Sequence, residues 1–179
     1  MNLRIISGSF GGRIIAAPDG KKTHPMSERV RNALFNSLGS VQDMQVLDAF
    51  AGTGALGIEA MSRGAAHATF IERDRVAQNV LTENIESLGI SENTKIIKAP
   101  VASWINTYEG EKFDLIFADP PYHDTQFSTA MSLMGLLKPN GLMVLSRPGR
   151  SESPTRLGVV VVDNRSYGDA ALTYFRLEK

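Results

Sequence analysis

Short apolar runs alternate with amphipathic stretches along the chain, and this alternation predicts strands and helices in turn. Residues 75–88 carry apolar side chains at helical spacing, with Asp74 placed as an N-cap and Gly89 as the stop. Three further helices are predicted over 27–38, 55–63 and 126–137. Strands are predicted over 45–49, 68–72, 95–99, 113–119, 141–146, 158–164 and 171–177.

This order predicts an α/β fold, with a doubly wound, mostly parallel sheet of seven strands. The last two strands have no helix between them, so residues 165–169 should turn them back as an antiparallel hairpin. An N-terminal arm, residues 1–38, precedes the sheet as a short β-hairpin around Gly11–Gly12 followed by a helix. Because no linker separates two units, we expect a single domain over 1–179, with residues 39–179 as its core.

Composition narrows the class of protein only a little. A chain of 179 residues with 42% hydrophobic and 21% charged residues is ordinary for a globular domain. The absence of cysteine excludes disulfides and cysteine-based metal sites, and we expect no metal. The longest apolar runs fall far short of the roughly 20 residues that a membrane span requires. We therefore expect a soluble, cytoplasmic protein without a signal peptide.

The net charge is zero, but the charges are unevenly distributed. Residues 1–31 hold six Lys and Arg against two acids, whereas residues 32–145 hold seven against thirteen. A local basic patch can bind phosphates while the total charge stays neutral. The arm is thus a candidate nucleic-acid contact, and a solvated basic arm is the alternative.

The stretch "VLDAFAGTGALGIEA" (46–60) contains a G-x-G-x-x-G loop between a predicted strand and a predicted helix. Glu72 follows Gly52 by 20 residues, where an acid that binds ribose belongs. A dinucleotide would bring a pyrophosphate to this loop, and the Asp48 carboxylate at its mouth would repel it. S-adenosylmethionine, with an ammonium, a sulfonium and a ribose diol, suits Asp48, the Gly52–Gly54 backbone and Glu72 better than NAD does.

The second motif, "DPPY" (119–122), follows the strand "DLIFA" and should lie at the same edge of the sheet. Two consecutive prolines stiffen the turn and remove two backbone donors. The Asp119 side chain and the Pro120 carbonyl can then accept both hydrogens of an exocyclic amine, while Tyr122 stacks on the attached base. In-line transfer to such an amine depends on positioning, and Asp119 can also take the departing proton.

Together, "DAFAGTGALGIEA", "FIERDR", "DPPY", the closing "YGDAALTYFR" and the arm "RIISGSFGGRIIAAPDG" resemble the RsmD-type 16S rRNA (guanine-N2)-methyltransferases. The resemblance covers essentially the whole chain. It implies a Rossmann-like S-adenosylmethionine-dependent methyltransferase fold and methylation of a guanine N2 in small-subunit rRNA. The substrate would be 16S rRNA within an assembling 30S subunit, and we expect the protein to be a monomer.

The resemblance and the motifs together assign roles to named residues. The target-amine site would be formed by Asp119, Pro120, Pro121 and Tyr122. The cofactor site would be lined by Asp48, Ala49, Phe50, Gly52, Gly54, Glu72, Arg73 and Val101. The candidate contacts to RNA phosphates are Arg4, Arg13, Lys21, Lys22, Arg29 and Arg31.

The chain departs from the family pattern at three places. His24-Pro25-Met26 stands where the family has Arg-Pro-Thr, so the arm loses a guanidinium. Pro100 replaces the usual Asp or Asn beside the adenine, which leaves the backbone of Val101 and side-chain packing to hold that ring. Ser146 stands where Glu is common, and its role is unassigned.

Three other functions remain open from the residues alone. An amino-methyltransferase acting on adenine N6 or on a protein amide would also use D-P-P-Y. An NAD-dependent oxidoreductase would use the glycine loop but leaves Asp48 and D-P-P-Y unexplained. A non-catalytic RNA-binding or assembly factor would not need the Asp119–Tyr122 groups.

Overall fold

Helices and strands follow one another in the order that the hydrophobic pattern predicts. The computed structural model describes residues 2–19, 25–124, 126–149 and 153–178. Its strands are β1 (Asn2–Arg4), β2 (Ile14–Ala16), β3 (Gln45–Ala49), β4 (His67–Ile71), β5 (Thr94–Ile97), β6 (Phe113–Ala118), β7 (Leu137–Pro148), β8 (Val159–Tyr167) and β9 (Ala170–Leu177). Its helices are α1 (Glu28–Leu38), α2 (Ala55–Ser62), α3 (Arg75–Leu88), α4 (Val101–Thr107) and α5 (Phe127–Met134).

Seven strands form one sheet in the order β5–β4–β3–β6–β7–β9–β8. The first five are parallel, and β9 runs antiparallel to both β7 and β8. Tyr167 pairs with Ala170, so the final hairpin turns at Gly168–Asp169. The α/β fold class and the antiparallel ending are confirmed. The chain order reverses between β3 and β6, and the crevice at the carboxyl ends of such a strand pair is where α/β sheets bind ligands.

The predicted caps define the ends of the two longest helices. In α3 the Asp74 side chain accepts a hydrogen bond from the Ala77 amide at 3.0 Å, and Gly89 ends the helix with φ = 68°. In α1 the Ser27 hydroxyl accepts from the Val30 amide at 3.2 Å. Among the described residues, no helix combines the length and the apolarity that crossing a membrane requires.

Two parts of the secondary structure differ from the prediction. Helix α4 was not predicted, because its seven residues are rich in β-branched and aromatic side chains and follow Pro100. Helix α5 ends at Met134, and β7 begins at Leu137, which pairs with Phe113 at the start of β6. The sequence 138–141, Lys-Pro-Asn-Gly, has the composition of a turn but forms an irregularity within β7.

Hydrophobic cores lie on both faces of the sheet. The first cluster joins the arm, α1, α2 and α3 to the sheet and includes Ile15, Phe35 and Phe117, which are at most 2% exposed. The second cluster lies beneath α4 and α5 and includes Leu47 and Ile116, both fully buried. The sheet is thus covered on both sides, as parallel strands require.

The arm packs against the core instead of projecting from it. β1 and β2 pair antiparallel, which confirms the predicted hairpin, and Ile5 and Ile15 belong to the first core cluster. Gly8 has φ = 84°, and a Cβ there would lie 1.9 Å from the Ser62 carbonyl oxygen of α2. Only glycine permits this approach of the arm to α2.

A buried carboxylate fastens the arm to α2. Glu59, fully buried, accepts hydrogen bonds from the amides of Ile6 at 2.8 Å and Ser7 at 3.1 Å. It also accepts from Arg63 Nε at 3.0 Å and lies 3.7 Å from Arg31 Nη1. The charge of Glu59 is therefore matched by two guanidinium groups and two backbone donors, which buried ions need.

The expectation that Arg31 contacts RNA phosphates is wrong. Its side chain is 1% exposed, and both of its terminal nitrogens donate to the Arg4 carbonyl at 3.1 Å. Arg31 lies three and four positions before Leu34 and Phe35, on the buried face of α1. The helical spacing of Arg31 indicates a buried position, whereas its charge alone suggests an exposed one.

We predict that Glu59→Ala lowers the free energy of unfolding by about 3–5 kcal/mol, because it leaves the buried Arg31 without a counter-charge and two amides without their acceptor. Urea denaturation followed by circular dichroism measures the change. The matched control is Glu28→Ala, which removes the exposed ion pair with Arg4 and should change the free energy of unfolding little, because solvent screens exposed ion pairs. Equal losses in the two variants would contradict this account of the arm.

Candidate active site

The carboxyl ends of four neighbouring strands bring polar groups to one row. Asp48 in β3 pairs with Phe70 in β4 and with Phe117 in β6, and Phe117 pairs with Val144 in β7. Two positions beyond these partners, on the same side of the sheet, come Glu72, Asp119 and Ser146. Both sequence motifs therefore meet at one place, as their positions after predicted strands indicated.

The loop from β3 to α2 has an unusual backbone. Phe50, Gly52 and Gly54 have φ values of 59°, 56° and 84°, and the left-handed conformation is uncommon for a residue such as Phe50. Such conformations cluster at functional sites. A Cβ on Gly54 would lie 2.4 Å from Leu81 Cδ1, whereas a Cβ on Gly52 would meet nothing within 4 Å. Space beside Gly52 is therefore open to a ligand.

The glycine amides are already hydrogen-bonded within the protein. Gly52 donates to Glu72 Oε2 at 2.7 Å, Gly54 to the Ala51 carbonyl at 2.8 Å, and Gly57 to Asp48 Oδ2 at 2.9 Å. A pyrophosphate needs such amides free. These three glycine amides are consequently not free to hold the phosphates of a dinucleotide.

The sequence predicts that Asp48 lies at the mouth of the site. In the structure it lies deeper. Its side chain is 1% exposed beneath the loop. Burial raises the pKa of the Asp48 carboxyl well above its usual range; the Gly57 amide lowers it, and the nearby Asp119 and Glu72 raise it further. Three carboxyl groups thus face one region, which favours a ligand that carries positive charge.

Glu72 and Arg73 follow β4 at the edge of this region. Glu72 is half-buried, and its second carboxylate oxygen accepts from the Asp74 amide at 2.8 Å. Because carboxylate oxygens have further lone pairs, Glu72 can still accept hydroxyl donors from a ribose. Arg73 is exposed beside it.

The remaining candidate cofactor residues lie toward the second core cluster. Ala49 is fully buried there and can offer a ligand only its backbone. Val101 is 3% exposed in the same cluster, at the first position of α4, and the half-buried Phe50 packs against that cluster. This apolar corner next to the glycine loop suits the packing that we expect around an adenine.

The D-P-P-Y segment carries a carboxyl with altered acidity. Burial raises the pKa of Asp119 to about 6, although a hydrogen bond from Ser146 lowers it. Pro120 is buried, and the Pro121 carbonyl accepts from the Asp124 amide at 3.0 Å, which closes the turn. Tyr122 is 44% exposed, so its ring is available for stacking.

Ser146, which the sequence left without a role, connects the two ends of this segment. Its hydroxyl lies 3.1 Å from the Tyr122 hydroxyl and hydrogen-bonds the Asp119 carboxyl, and the residue is 5% exposed. Ser146 therefore links the Tyr122 hydroxyl to the Asp119 carboxyl. Only the strand register identifies it, since serine at a strand end is common.

The candidate RNA-binding residues that the structure describes are exposed, apart from Arg31. Arg29 is exposed, Arg4 is exposed but paired with Glu28, and Arg13 donates to the Ser87 carbonyl at 2.9 Å. Lys21, Lys22 and His24 lie outside the described residues.

A groove of about 240 Å³ lies at the opposite, amino ends of the strands. Gln45, His67 and Phe113 line it with Trp104 and Tyr108 of α4. None of the residues of the glycine loop or of D-P-P-Y is part of it. The candidate residues therefore lie at the carboxyl ends of the strands and not in this groove.

Comparisons with known proteins find relatives over nearly the whole chain. The family model described as "Conserved hypothetical protein 95" matches residues 3–176. Ribosomal RNA small subunit methyltransferase D of Escherichia coli is 38% identical over 74% of this chain and 66% of its own. YlbH of Bacillus subtilis, provisionally named an rRNA methyltransferase, is 30% identical over 97% of this chain and 98% of its own. A solved structure of yhhF from Escherichia coli, provisionally named a methyltransferase, has a TM-score of 0.90 at 30% identity and covers 100% of this chain and 99% of its own.

The strand order, the glycine loop and the carboxyl groups at the strand ends define an S-adenosylmethionine-dependent methyltransferase. The open space beside Gly52 and the cluster of carboxyl groups fit this cofactor. The chain belongs to the RsmD family of methyltransferases, which confirms the resemblance seen in its motifs.

We predict that isothermal titration calorimetry detects binding of S-adenosylhomocysteine and none of NAD. Glu72→Ala should weaken the binding by about 10-fold or more, because it removes a charged hydrogen-bond acceptor. Glu83→Ala, which removes an exposed carboxylate from α3, is the control and should bind as the parent chain does. Binding of NAD, or unchanged binding by Glu72→Ala, would contradict the assignment.

We also predict that Asp119→Asn stabilises the fold at pH 8. Because the pKa of Asp119 rises from 3.8 to about 6 on folding, its contribution to stability is present below pH 3.8 and is lost as pH rises through 6. The loss amounts to at most about 3 kcal/mol. Urea denaturation should show the gain at pH 8 and almost none at pH 4.

Asp114→Asn is the control for this measurement, since Asp114 lies in β6, the strand that Asp119 follows, and pairs with Lys138 at 3.3 Å. That variant should gain no stability at pH 8. A less stable Asp119→Asn protein at pH 8 would show that the Asp119 carboxylate is not destabilised by burial.

Proposed function

We propose that the protein methylates the exocyclic N2 amine of one guanine in small-subunit 16S rRNA. The observation that carries the proposal is the position of the D-P-P-Y segment, one strand away from the glycine loop, with its Asp119 carboxyl beside Asp48. The relatives named small subunit methyltransferase D, such as those of Escherichia coli and Haemophilus influenzae, support rRNA as the substrate.

Two acceptors in the segment suit an amine with two hydrogens. Asp119 accepts one N–H, and the Pro120 carbonyl accepts the other; among the described residues, no group donates a hydrogen bond to that carbonyl. The lone pair of an exocyclic nitrogen is delocalised into its base, and holding both hydrogens directs it out of the ring plane. Tyr122 stacks on the base, while Ser146 holds the phenol hydroxyl in place.

S-adenosylmethionine, when bound, supplies an electrophilic methyl group on a sulfonium. Asp48, the Gly52–Gly54 backbone and Glu72 would hold it, with Phe50 and Val101 beside its adenine. In-line transfer would form the nitrogen–carbon bond as the bond from sulfur to the methyl group breaks, with its electron pair left on a neutral thioether. The Asp119 carboxylate would stabilise the positive charge that develops on the nitrogen. The amine then gives up one proton, to Asp119 or to water. With a pKa of about 6, Asp119 is ionised at neutral pH and is able to accept it.

Affinity for RNA would come from exposed cations of the arm. Arg13 and Arg29 are exposed, and Lys21 and Lys22 add to the charge of this part of the sequence. Phosphate contacts of this kind make binding sensitive to salt. The target base would have to be splayed out of its surroundings to reach Asp119. We place the reaction in the cytoplasm, on an assembling 30S subunit, with the enzyme acting as a monomer.

The experiment is a nucleoside analysis of 16S rRNA from a strain that lacks the gene. We expect N2-methylguanosine to fall by one residue per 16S molecule and to be restored by the parent gene. Asp119→Ala should restore none, since transfer would slow by about 100-fold or more. Asp124→Ala, an exposed change in the same loop, should restore it fully.

Unchanged N2-methylguanosine in the deletion strain would contradict the proposal. Loss of N6-methyladenosine in its place would identify the enzyme as an adenine amino-methyltransferase. Full restoration of N2-methylguanosine by Asp119→Ala would leave the substrate assignment intact but contradict the role given to Asp119.

A further inference from the structure

One polar side chain joins the arm to the cofactor loop. Asn84 lies in α3 and is 3% exposed. Its Oδ1 accepts from the Ala16 amide at 2.9 Å, and its Nδ2 donates to the Ala16 carbonyl at 2.9 Å and to the Thr53 carbonyl at 3.1 Å. Both amide hydrogens and the oxygen are thus in use, and each bond goes to backbone outside α3.

On the side that faces the arm, the Asn84 carboxamide hydrogen-bonds the backbone of β2 in the way that a neighbouring β-strand does. It pairs with both backbone groups of Ala16, at the end of β2, while Ala16 is opposite Asn2 in β1. Because two bonds converge on one planar group, the position and the tilt of β2 relative to α3 are both fixed. A movement of β2 must therefore either break these bonds or turn the carboxamide.

Toward the cofactor loop, the same carboxamide fixes a peptide plane. Thr53 is 4% exposed and lies between Gly52 and Gly54, both in the left-handed region. Its buried carbonyl requires a hydrogen bond, and Asn84 provides one. The Thr53–Gly54 peptide also carries the amide that bonds to the Ala51 carbonyl. The orientation of the Asn84 side chain consequently affects the shape of the loop.

We infer that Asn84 is a positioning residue that couples docking of the arm to the shape of the glycine loop, so that S-adenosylmethionine and an RNA held by the arm strengthen each other's binding. The inference rests on the proposed function for its two ligands. Coupling between two sites is reciprocal: if docking of the arm improves cofactor affinity, the cofactor must stabilise docking of the arm by the same factor.

Other attachments of the arm do not touch the loop and provide a matched control. The Ser62 hydroxyl of α2 donates to the Ser7 carbonyl at 2.6 Å and accepts from the Phe10 amide at 2.9 Å. Ser62→Ala therefore loosens residues 7–10 of the arm but changes no contact of Ala16 or Thr53, the two partners of Asn84. If only general docking of the arm mattered, this variant and Asn84→Ala would behave alike.

The first measurement is calorimetric titration with S-adenosylhomocysteine. We expect Asn84→Ala to weaken binding by about 10-fold, and Ser62→Ala to stay within about twofold of the parent chain. A second variant, Ala16→Pro, removes the Ala16 amide donor and leaves both partners of the Asn84–Thr53 bond. We expect it to weaken binding by about 5-fold, although Ala16 has no hydrogen bond to the loop. Ala16→Pro also tests the coupling if Asn84→Ala does not fold.

The second measurement is hydrogen–deuterium exchange of peptides covering residues 9–19. S-adenosylhomocysteine should slow exchange there in the parent chain and in Ser62→Ala, but not in Asn84→Ala at saturating ligand. A purely structural role would speed exchange equally with and without ligand. Steady-state kinetics should show a higher KM for the methyl donor with kcat little changed.

The outcomes separate this inference from the proposed function. Failure of the parent chain to bind S-adenosylhomocysteine overturns the cofactor site itself. Binding by the parent chain with equal affinity in Asn84→Ala and Ala16→Pro overturns the coupling alone. Equal weakening in Ser62→Ala and Asn84→Ala also overturns it, since Asn84 would then have no special part.

Discussion

The parallel pairing of β3 with β6 determines what this protein can do. Asp48 and Phe117 are 69 positions apart along the chain, yet Asp48 pairs with Phe117 and Ala49 with Ala118. This register brings the glycine loop and D-P-P-Y to the same level at the edge of the sheet. A shift of one residue would turn Asp119 to the opposite face. The buried rows of Leu47 and Ile116 oppose such a shift, because they would lose their place in the second core.

The site that this register creates is costly for the fold. Asp48 and Asp119 are carboxyl groups whose pKa values are raised by burial, and Phe50 has a left-handed backbone. Each feature is unfavourable without a ligand. The packing of the arm and the fully bonded Glu59 hold the surrounding elements in place. A positively charged ligand would offset the repulsion between these carboxyl groups. The arrangement is therefore unfavourable in the free protein and favourable when such a ligand is bound.

Much of the fold could be predicted because local chemistry determined it. Asp74 and Gly89 cap α3 at the predicted residues, and Gly168–Asp169 turns the final hairpin within the predicted segment. The two motifs were placed together correctly because parallel strands end at one edge of a sheet. Helix α4 was missed, since its residues favour strands and its helix depends on packing against the second core.

The site was less predictable where a residue's role depends on distant partners. Arg31 is a cation in a basic arm, and only its contact with Glu59, from another helix, makes it structural. Asn84 shares the buried face of α3 with Leu81 and Leu88, but its two partners are far away in the sequence. Nothing in the sequence around Ser146 indicates a role, because its contact with Tyr122 depends on the pairing of strands in the sheet. Helical spacing indicated burial for the first two, but it could not identify their partners.

A crystal structure with S-adenosylhomocysteine tests the central claim most directly. The account predicts the homocysteine sulfur over the carboxyl end of β3, with the ribose hydroxyls on Glu72 and space for one amine nitrogen between the sulfur and the Asp119 carboxylate. Electron density for the ligand at the amino ends of the strands, in the groove beside Trp104, would contradict it. A structure in which protein atoms fill the space between the homocysteine sulfur and the Asp119 carboxylate would also contradict it.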